Sequence, residues 1–133
     1  MKTKIPHYFL AALALYIGAC NPIEEGDTIP ISTEICIEAR HHDVPHPELN
    51  IFLKYNVDTF PGYYNDASWY DTMLVTDAAG RACVGPVPPG KHWIIGLGFD
   101  EHAQQLLPVF GRLPVVVDLE KKPKIDTILY LYE

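Results

Sequence analysis

A chain of 133 residues has room for one domain, and its 48% hydrophobic content is enough to give that domain a core. Its 17 acidic residues against 10 basic ones set a net charge of −7. That balance lacks the basic face a phosphate backbone requires, so nucleic acid is not an expected partner.

The chain starts with Lys2 and Lys4, continues as an apolar stretch over residues 8–19, and then reaches Cys20. A charged start, an apolar run of about 7–15 residues and small residues before a cut site describe a secretory signal. A spanning helix would need about 20 apolar residues. The bland alternatives are an ordinary signal peptide with a chance Cys, or a buried core helix. Pro6 before the run and Asn21-Pro22 after it oppose the helix.

Ile17-Gly18-Ala19-Cys20 resembles a bacterial lipobox. The resemblance implies cleavage before Cys20 and acylation of its thiol. Residues 1–19 are then a lipoprotein signal peptide, Cys20 is the lipid attachment site, and membrane lipid is the first partner. Acyl chains contribute about 0.8 kcal/mol per buried CH₂, and stable anchoring needs two or more of them, as the triacylated Cys of this class carries. Losing Lys2 and Lys4 takes the basic count from 10 to 8 and the net charge from −7 to −9. Anionic headgroups would repel such a body, which leaves the holding to the lipid. Residues 20–32 are polar, acidic and Pro-containing, as a flexible tether is. Asn21 stands where the enterobacterial inner-membrane retention signal has Asp, so the implied location is the bacterial cell envelope at the outer membrane. Glu24-Glu25 is similar to acidic surface-export signals of some lipoproteins.

After Cys20 no helical i, i+3, i+4 period appears. Short β-rich runs bounded by Pro, Gly, Asn and Asp predict strands over residues 33–39, 49–55, 70–76, 81–87, 92–99, 115–119 and 125–132. Seven strands in residues 33–133 predict an all-β domain, a seven-stranded antiparallel β-sandwich. Alternation points Ile35, Ile37, Ala39, Ile51, Leu53, Ala82 and Val84 inward, and Glu34, Cys36, Glu38, Phe52, Lys54, Arg81 and Cys83 outward. Ile95 and Leu129 complete the expected core. The last run is apolar on both sides, as in a central strand or one half of an interface.

Two turns are well specified. In Asp77-Ala78-Ala79-Gly80 the Asp can bond ahead to backbone amides and the Gly can take a positive φ. In Pro88-Pro89-Gly90-Lys91 the Pro and Gly suit the central positions of a type II turn.

The run from Val75 to Phe99 (VTDAAGRACVGPVPPGKHWIIGLGF) resembles the core signature of carboxypeptidase-regulatory-like, transthyretin-like domains. There a Thr-Asp-x-x-Gly-Arg turn leads to a short strand, a Pro-Gly turn and an aromatic-containing strand. Residues 35–54 resemble that family's first two strands. His41-His42-Asp43 and Leu53-Lys54-Tyr55-Asn56 are similar to small bacterial lipoproteins on this Ig-like fold. The resemblance implies an accessory module, because such domains seldom carry the chemistry themselves.

A nucleophilic hydrolase needs Ser, Cys or Thr beside a base and an orienting acid. After Cys20 the serines are Ser32 and Ser68, and neither sits in a Gly-x-Ser-x-Gly elbow. The hydroxyisourate hydrolase of the transthyretin fold ends in Tyr-Arg-Gly-Ser, whereas this sequence reads Leu129-Tyr130-Leu131-Tyr132-Glu133. No catalytic residues, no cofactor and no enzymatic activity are expected.

Three segments remain as binding candidates. His41, His42, Asp43 and His46 offer weak metal ligands, since imidazole and carboxylate suit zinc or copper. Their spacing matches no closed site, and a His bonding to turn backbone is the commoner outcome. Phe60, Tyr63, Tyr64, Trp69 and Tyr70 crowd residues 58–71 beside Asn65, Asp66 and Asp71. Such rings either close the sandwich or form a platform for a glycan, a peptide or an envelope protein partner. Cys36 and Cys83 are an even pair in an oxidising compartment, either bridged or left as two thiols. The transthyretin-like arrangement makes their strands neighbours, which permits a bridge if the register is right.

Overall fold

The computed structural model describes residues 33–100, 103, 105–121 and 124–133. The signal peptide, Cys20 and the tether fall outside them. The described residues form eight strands: β1 (Thr33–His41), β2 (Val44–Pro45), β3 (Asn50–Lys54), β4 (Thr72–Val75), β5 (Arg81–Val87), β6 (Gly90–Asp100), β7 (Leu107–Val117) and β8 (Lys124–Leu131). The helical residues among those described are the 3₁₀ turn Ala67–Trp69.

The strands build two four-stranded sheets that pack as a β-sandwich. In the first sheet, β1 pairs antiparallel with β5 on one side and with the short β2, and parallel with β8 on the other. The second runs β4-β3-β6-β7, antiparallel throughout. The β4–β5 and β5–β6 turns are the two that the sequence specified, and both carry the chain from one sheet to the other. The Asp77 carboxylate accepts from the Ala79 and Arg81 amides, each at 2.9 Å. Gly80 (φ 70°) and Gly90 (φ 135°) take the positive φ that these corners need.

The core lies between the sheets, with Ile35, Ile37 and Ala39 of β1 facing Ile51, Leu53, Ile94 and Val109 across it, and Leu129 and Leu131 closing one side. Each fully buried aliphatic side chain contributes about 1.5–3 kcal/mol. Gly111 on β7 gives the room for that closure. A Cβ there would lie 2.8 Å from both Leu131 Cδ2 and the Tyr130 carbonyl oxygen. Next to it, Phe110 and Tyr132 exchange two backbone hydrogen bonds of 2.8 Å, which tie β8 to the second sheet.

Several expectations are corrected. Among the described residues there are eight strands, not seven, and the β1–β8 pair is parallel. β7 starts eight residues before the expected 115 because Pro108 and Pro114 read as breakers. On an edge strand they are tolerated, since their missing N–H groups face no ladder partner. β8 is not a central strand: β1 flanks it on one side, and an isolated bridge to Phe110 reaches it on the other. Its outer face leaves Ile128, Tyr130 and Tyr132 exposed. Val84 is half-buried rather than central to the core. Ile95 is fully buried, but on the outer face of its sheet.

Candidate functional site

That outer face is where the second sheet departs from simple alternation. Phe52 of β3 and Ile95 and Leu97 of β6 point away from the sandwich core, yet all three are buried. Trp93 and Phe110 flank them. The connection from β3 to β4, residues 55–71, lies over this patch and supplies the missing cover.

Its base is strapped to the sheet. The Asp71 carboxylate accepts from the Tyr55 amide at 2.7 Å and lies 3.4 Å from Lys54 Nζ. The Val57 amide donates to the Lys91 carbonyl at 3.1 Å, and Lys91 Nζ meets Asp58 at 2.9 Å. That carboxylate raises the Lys91 pKa through its hydrogen bond and its charge.

The five aromatic candidates divide into two groups. Tyr70 is buried and stacks on Phe52 with centroids 4.7 Å apart. Its hydroxyl donates to the Gly62 carbonyl at 3.1 Å and accepts from the Tyr64 amide at 2.8 Å. Burial raises the Tyr70 phenol pKa, and the Tyr64 amide opposes that shift. Phe60 is half-buried between Trp93 (5.3 Å) and Tyr63 (4.8 Å), with the Arg112 guanidinium 4.8 Å from its ring centroid. These two rings close the sheet.

Tyr63, Tyr64 and Trp69 instead face solvent, at 40%, 40% and 56% exposure. Tyr64 and Trp69 stack almost flat, with centroids 4.7 Å apart and planes 15° apart. Two local devices hold the pair. Gly62 adopts φ 103°, and a Cβ there would meet the Tyr64 ring at 2.8 Å. Asp66 caps the 3₁₀ turn that carries Trp69, its carboxylate accepting from the Ser68 amide at 2.9 Å. The Ser68 side chain first, then its amide, hold the Asp66 carboxyl below the usual carboxylate range. Asn65, between Tyr64 and Asp66, also lines a groove of ≈ 320 Å³. Glu48 and Asn50 add polar groups to that groove, and Leu97, Phe99 and Phe110 add apolar surface. A flat double ring beside a mixed groove can stack a ring or a planar group and orient it through amide and carboxylate.

The other candidates separate as well. Cys36 and Cys83 sit directly opposite each other on β1 and β5 and form a disulfide, Cα atoms 4.0 Å apart. The bridge lies on the outer face of the first sheet, and Cys36 is nevertheless buried because β5 and β8 flank it.

In the histidine segment, His42 and Asp43 form the tip of the β1–β2 hairpin with φ of 48° and 62°. His46 spends its ring on backbone, with Nδ1 2.9 Å from the Pro47 carbonyl oxygen and Nε2 3.1 Å from that of Phe99. Asp43 and His46 therefore do not join His41 and His42. Glu133 does: its Oε1 lies 3.7 Å from His41 Nε2 and 3.5 Å from His42 Nε2.

Sequence reasoning missed Trp93, Phe110, Arg112 and Glu133. Trp93-Ile94-Ile95, apolar on both faces of one strand, was the available signal that the outer face is covered. The approach of Glu133 to the hairpin had none, because it depends on the parallel pairing of β8 with β1.

Among the described residues no helix is long and apolar enough to cross a membrane. No family profile and no curated protein matches the sequence. Among solved structures, the crystal structure of the major pilin subunit of Bacillus cereus is similar, with a TM-score of 0.51 and 14% identity. The match covers 78% of this chain and 31% of the pilin. At that identity the likeness is one of fold.

Proposed function

We propose that this protein is a non-catalytic binding module of the bacterial cell envelope, lipid-anchored through Cys20, that takes a glycan or peptide ligand on the Tyr64–Trp69 platform. The observation that carries the reading is the exposed, flat Tyr64–Trp69 stack. Two rings held at 40% and 56% exposure leave apolar area in water, and a ligand that covered them would remove it. The lipobox-like Ile17-Gly18-Ala19-Cys20 supports the anchor. The sheet-crossing turns at Asp77–Gly80 and Pro88–Gly90 support a small lipoprotein with a carboxypeptidase-regulatory-like, transthyretin-like domain.

Calorimetric titration of the purified protein with envelope glycans and peptides is the test. A saturable hit that Trp69→Ala removes sustains the reading, and a hit unaffected by Trp69→Ala and Tyr64→Ala sinks it. For the anchor, Cys20→Ala should move the protein from the membrane to the soluble fraction, and wild type lacking acyl mass at its N-terminal peptide would refute it.

A second reading, a structural component of an outer-membrane assembly, draws on β8. Its outer row Ile128, Tyr130 and Tyr132 is exposed at the edge of a sheet, and edges of this kind pair with partners. Under that reading a partner co-purifies from detergent extracts and Tyr130→Asp abolishes the co-purification.

A further inference from the structure

The His41–His42 hairpin and Glu133 of the last strand form a cluster that the ligand platform does not use. On a regular strand adjacent side chains point to opposite faces. Here His42 turns into left-handed backbone (φ 48°), which swings its ring back to within 4.1 Å of the His41 ring centroid. β8 runs parallel to β1 with His41 opposite Leu131. That register brings the Glu133 carboxylate to the same point, 3.7 Å from His41 Nε2 and 3.5 Å from His42 Nε2.

Tetrahedral zinc with bonds of about 2.0–2.1 Å spaces its donors about 3.4 Å apart. The two His–Glu separations are within a few tenths of an ångström of that spacing. The three ligand atoms all lie within 4.8 Å of one another, and His42 and Glu133, at 74% and 45% exposure, have the freedom to close the remainder. His41 is the buried, fixed member, and its other nitrogen, Nδ1, lies 3.7 Å from Asp100 Oδ2. That separation is beyond hydrogen-bond range, and a small closure on metal binding would let Asp100 hold the tautomer that presents Nε2 to the ion. Over the cluster, a depression of ≈ 400 Å³ walled by Tyr130 and Tyr132 leaves space for a further ligand.

We propose that His41, His42 and Glu133 form a binding site for a divalent transition metal of zinc type, with Asp100 as the positioning residue behind His41. Two imidazoles and a carboxylate match borderline ions, whereas calcium and magnesium call for all-oxygen shells and copper(I) for sulfur. Three protein donors leave a fourth position for water or an external ligand.

Calorimetric titration with Zn²⁺ tests the site, on the full chain carrying Cys20→Ala throughout so that no free thiol competes. One ion should bind per chain, and His42→Ala and Glu133→Gln should each weaken it by more than about tenfold. Asp100→Asn should weaken it by about 10–100-fold. Co²⁺ in place of Zn²⁺ should show the intense visible bands of four-coordinate cobalt in wild type, and lose them in His42→Ala. His41 is buried and its removal endangers the fold, so the test rests on the exposed His42 and Glu133. No saturable binding, another stoichiometry, or an affinity that either of those two variants leaves within about tenfold of wild type overturns the site. Glycan or peptide binding at Trp69 is read separately and is indifferent to this outcome.

Discussion

The two outer faces of the sandwich obey the same alternation and end in opposite states. On the first sheet the outward row leaves Ile128 and Tyr130 exposed on β8 and elsewhere carries Glu34, Glu38 and Arg40 of β1, Arg81 of β5, and Lys124 and Asp126 of β8. These side chains pair with one another: Arg40 with Glu38 at 2.7 Å, Arg81 with Asp126 at 3.6 Å, and Lys124 with Glu34 at 3.6 Å. The disulfide is set among them. On the second sheet the outward residues Phe52, Trp93, Ile95, Leu97 and Phe110 lie under a folded connection, while Met73, Val75, Phe99 and Val116 on the same face stay exposed around it. A period of two assigns a residue to a face. Whether that face is wet depends on what else the chain can lay across it, and here the composition of the outward row decides. Charges need no cover, whereas five apolar side chains draw a loop with its own aromatics down onto them.

That contrast can be broken most directly at Phe52. If the covered face is a second core, Phe52→Ala should lower unfolding stability by about 3–5 kcal/mol in a denaturant titration and expose Tyr70 at the same time. A loss below about 1 kcal/mol would make the loop a loose flap. On the open face the comparable effect should come from covalent chemistry. The disulfide joins residues 47 apart in sequence, so replacing Cys36 and Cys83 together by Ala should cost about 4 kcal/mol on the chain-entropy model. That is a large part of the net 5–15 kcal/mol or so typical of a domain. Gly62→Ala comes next. Its positive φ and the clash with the Tyr64 ring should cost about 1–3 kcal/mol, and the near-ultraviolet circular dichroism of the Tyr64–Trp69 stack should weaken with it. Arg81→Ala should change stability by less than about 1 kcal/mol, since its ion pair with Asp126 is solvated. A larger loss would mean that the charged face is held as tightly as the aromatic one.

The smallest effect is one of pH. The folded Asp66 carboxyl lies below its unfolded value, so its support of the turn is full above the ordinary Asp pKa of about 3.9. It is lost as the pH falls through the folded value. Trp69 emission should shift over that acid range in wild type, and the shift should be absent in Asp66→Asn.

Much of this was legible from residues alone. The two sheet-crossing turns announce themselves in Asp77, Gly80, Pro89 and Gly90, because positive φ and fixed φ are properties of single residues. Alternation in Ile35, Ile37, Ile51 and Leu53 identifies the inner faces, because side-chain direction on a strand is local. The aromatic segment is conspicuous as a candidate, but the division of Phe60 and Tyr70 from Tyr63, Tyr64 and Trp69 is not. It follows from which rings Phe52 and Trp93 can reach.

By itself, then, the sequence determined an all-β domain, its corner turns, its inward rows and the segments worth suspecting. Each of those depends on the conformational preference or polarity of one residue and its near neighbours. The tertiary structure alone decided the register that puts Cys36 opposite Cys83, the parallel pairing of β8 with β1, and the edge position that lets β7 carry Pro108 and Pro114. It also decided the meeting of His41 and His42 with Glu133. All four arise from pairing between segments far apart in the chain. Which strands lie side by side is set by the packing of the whole core, and no local pattern of residues encodes it.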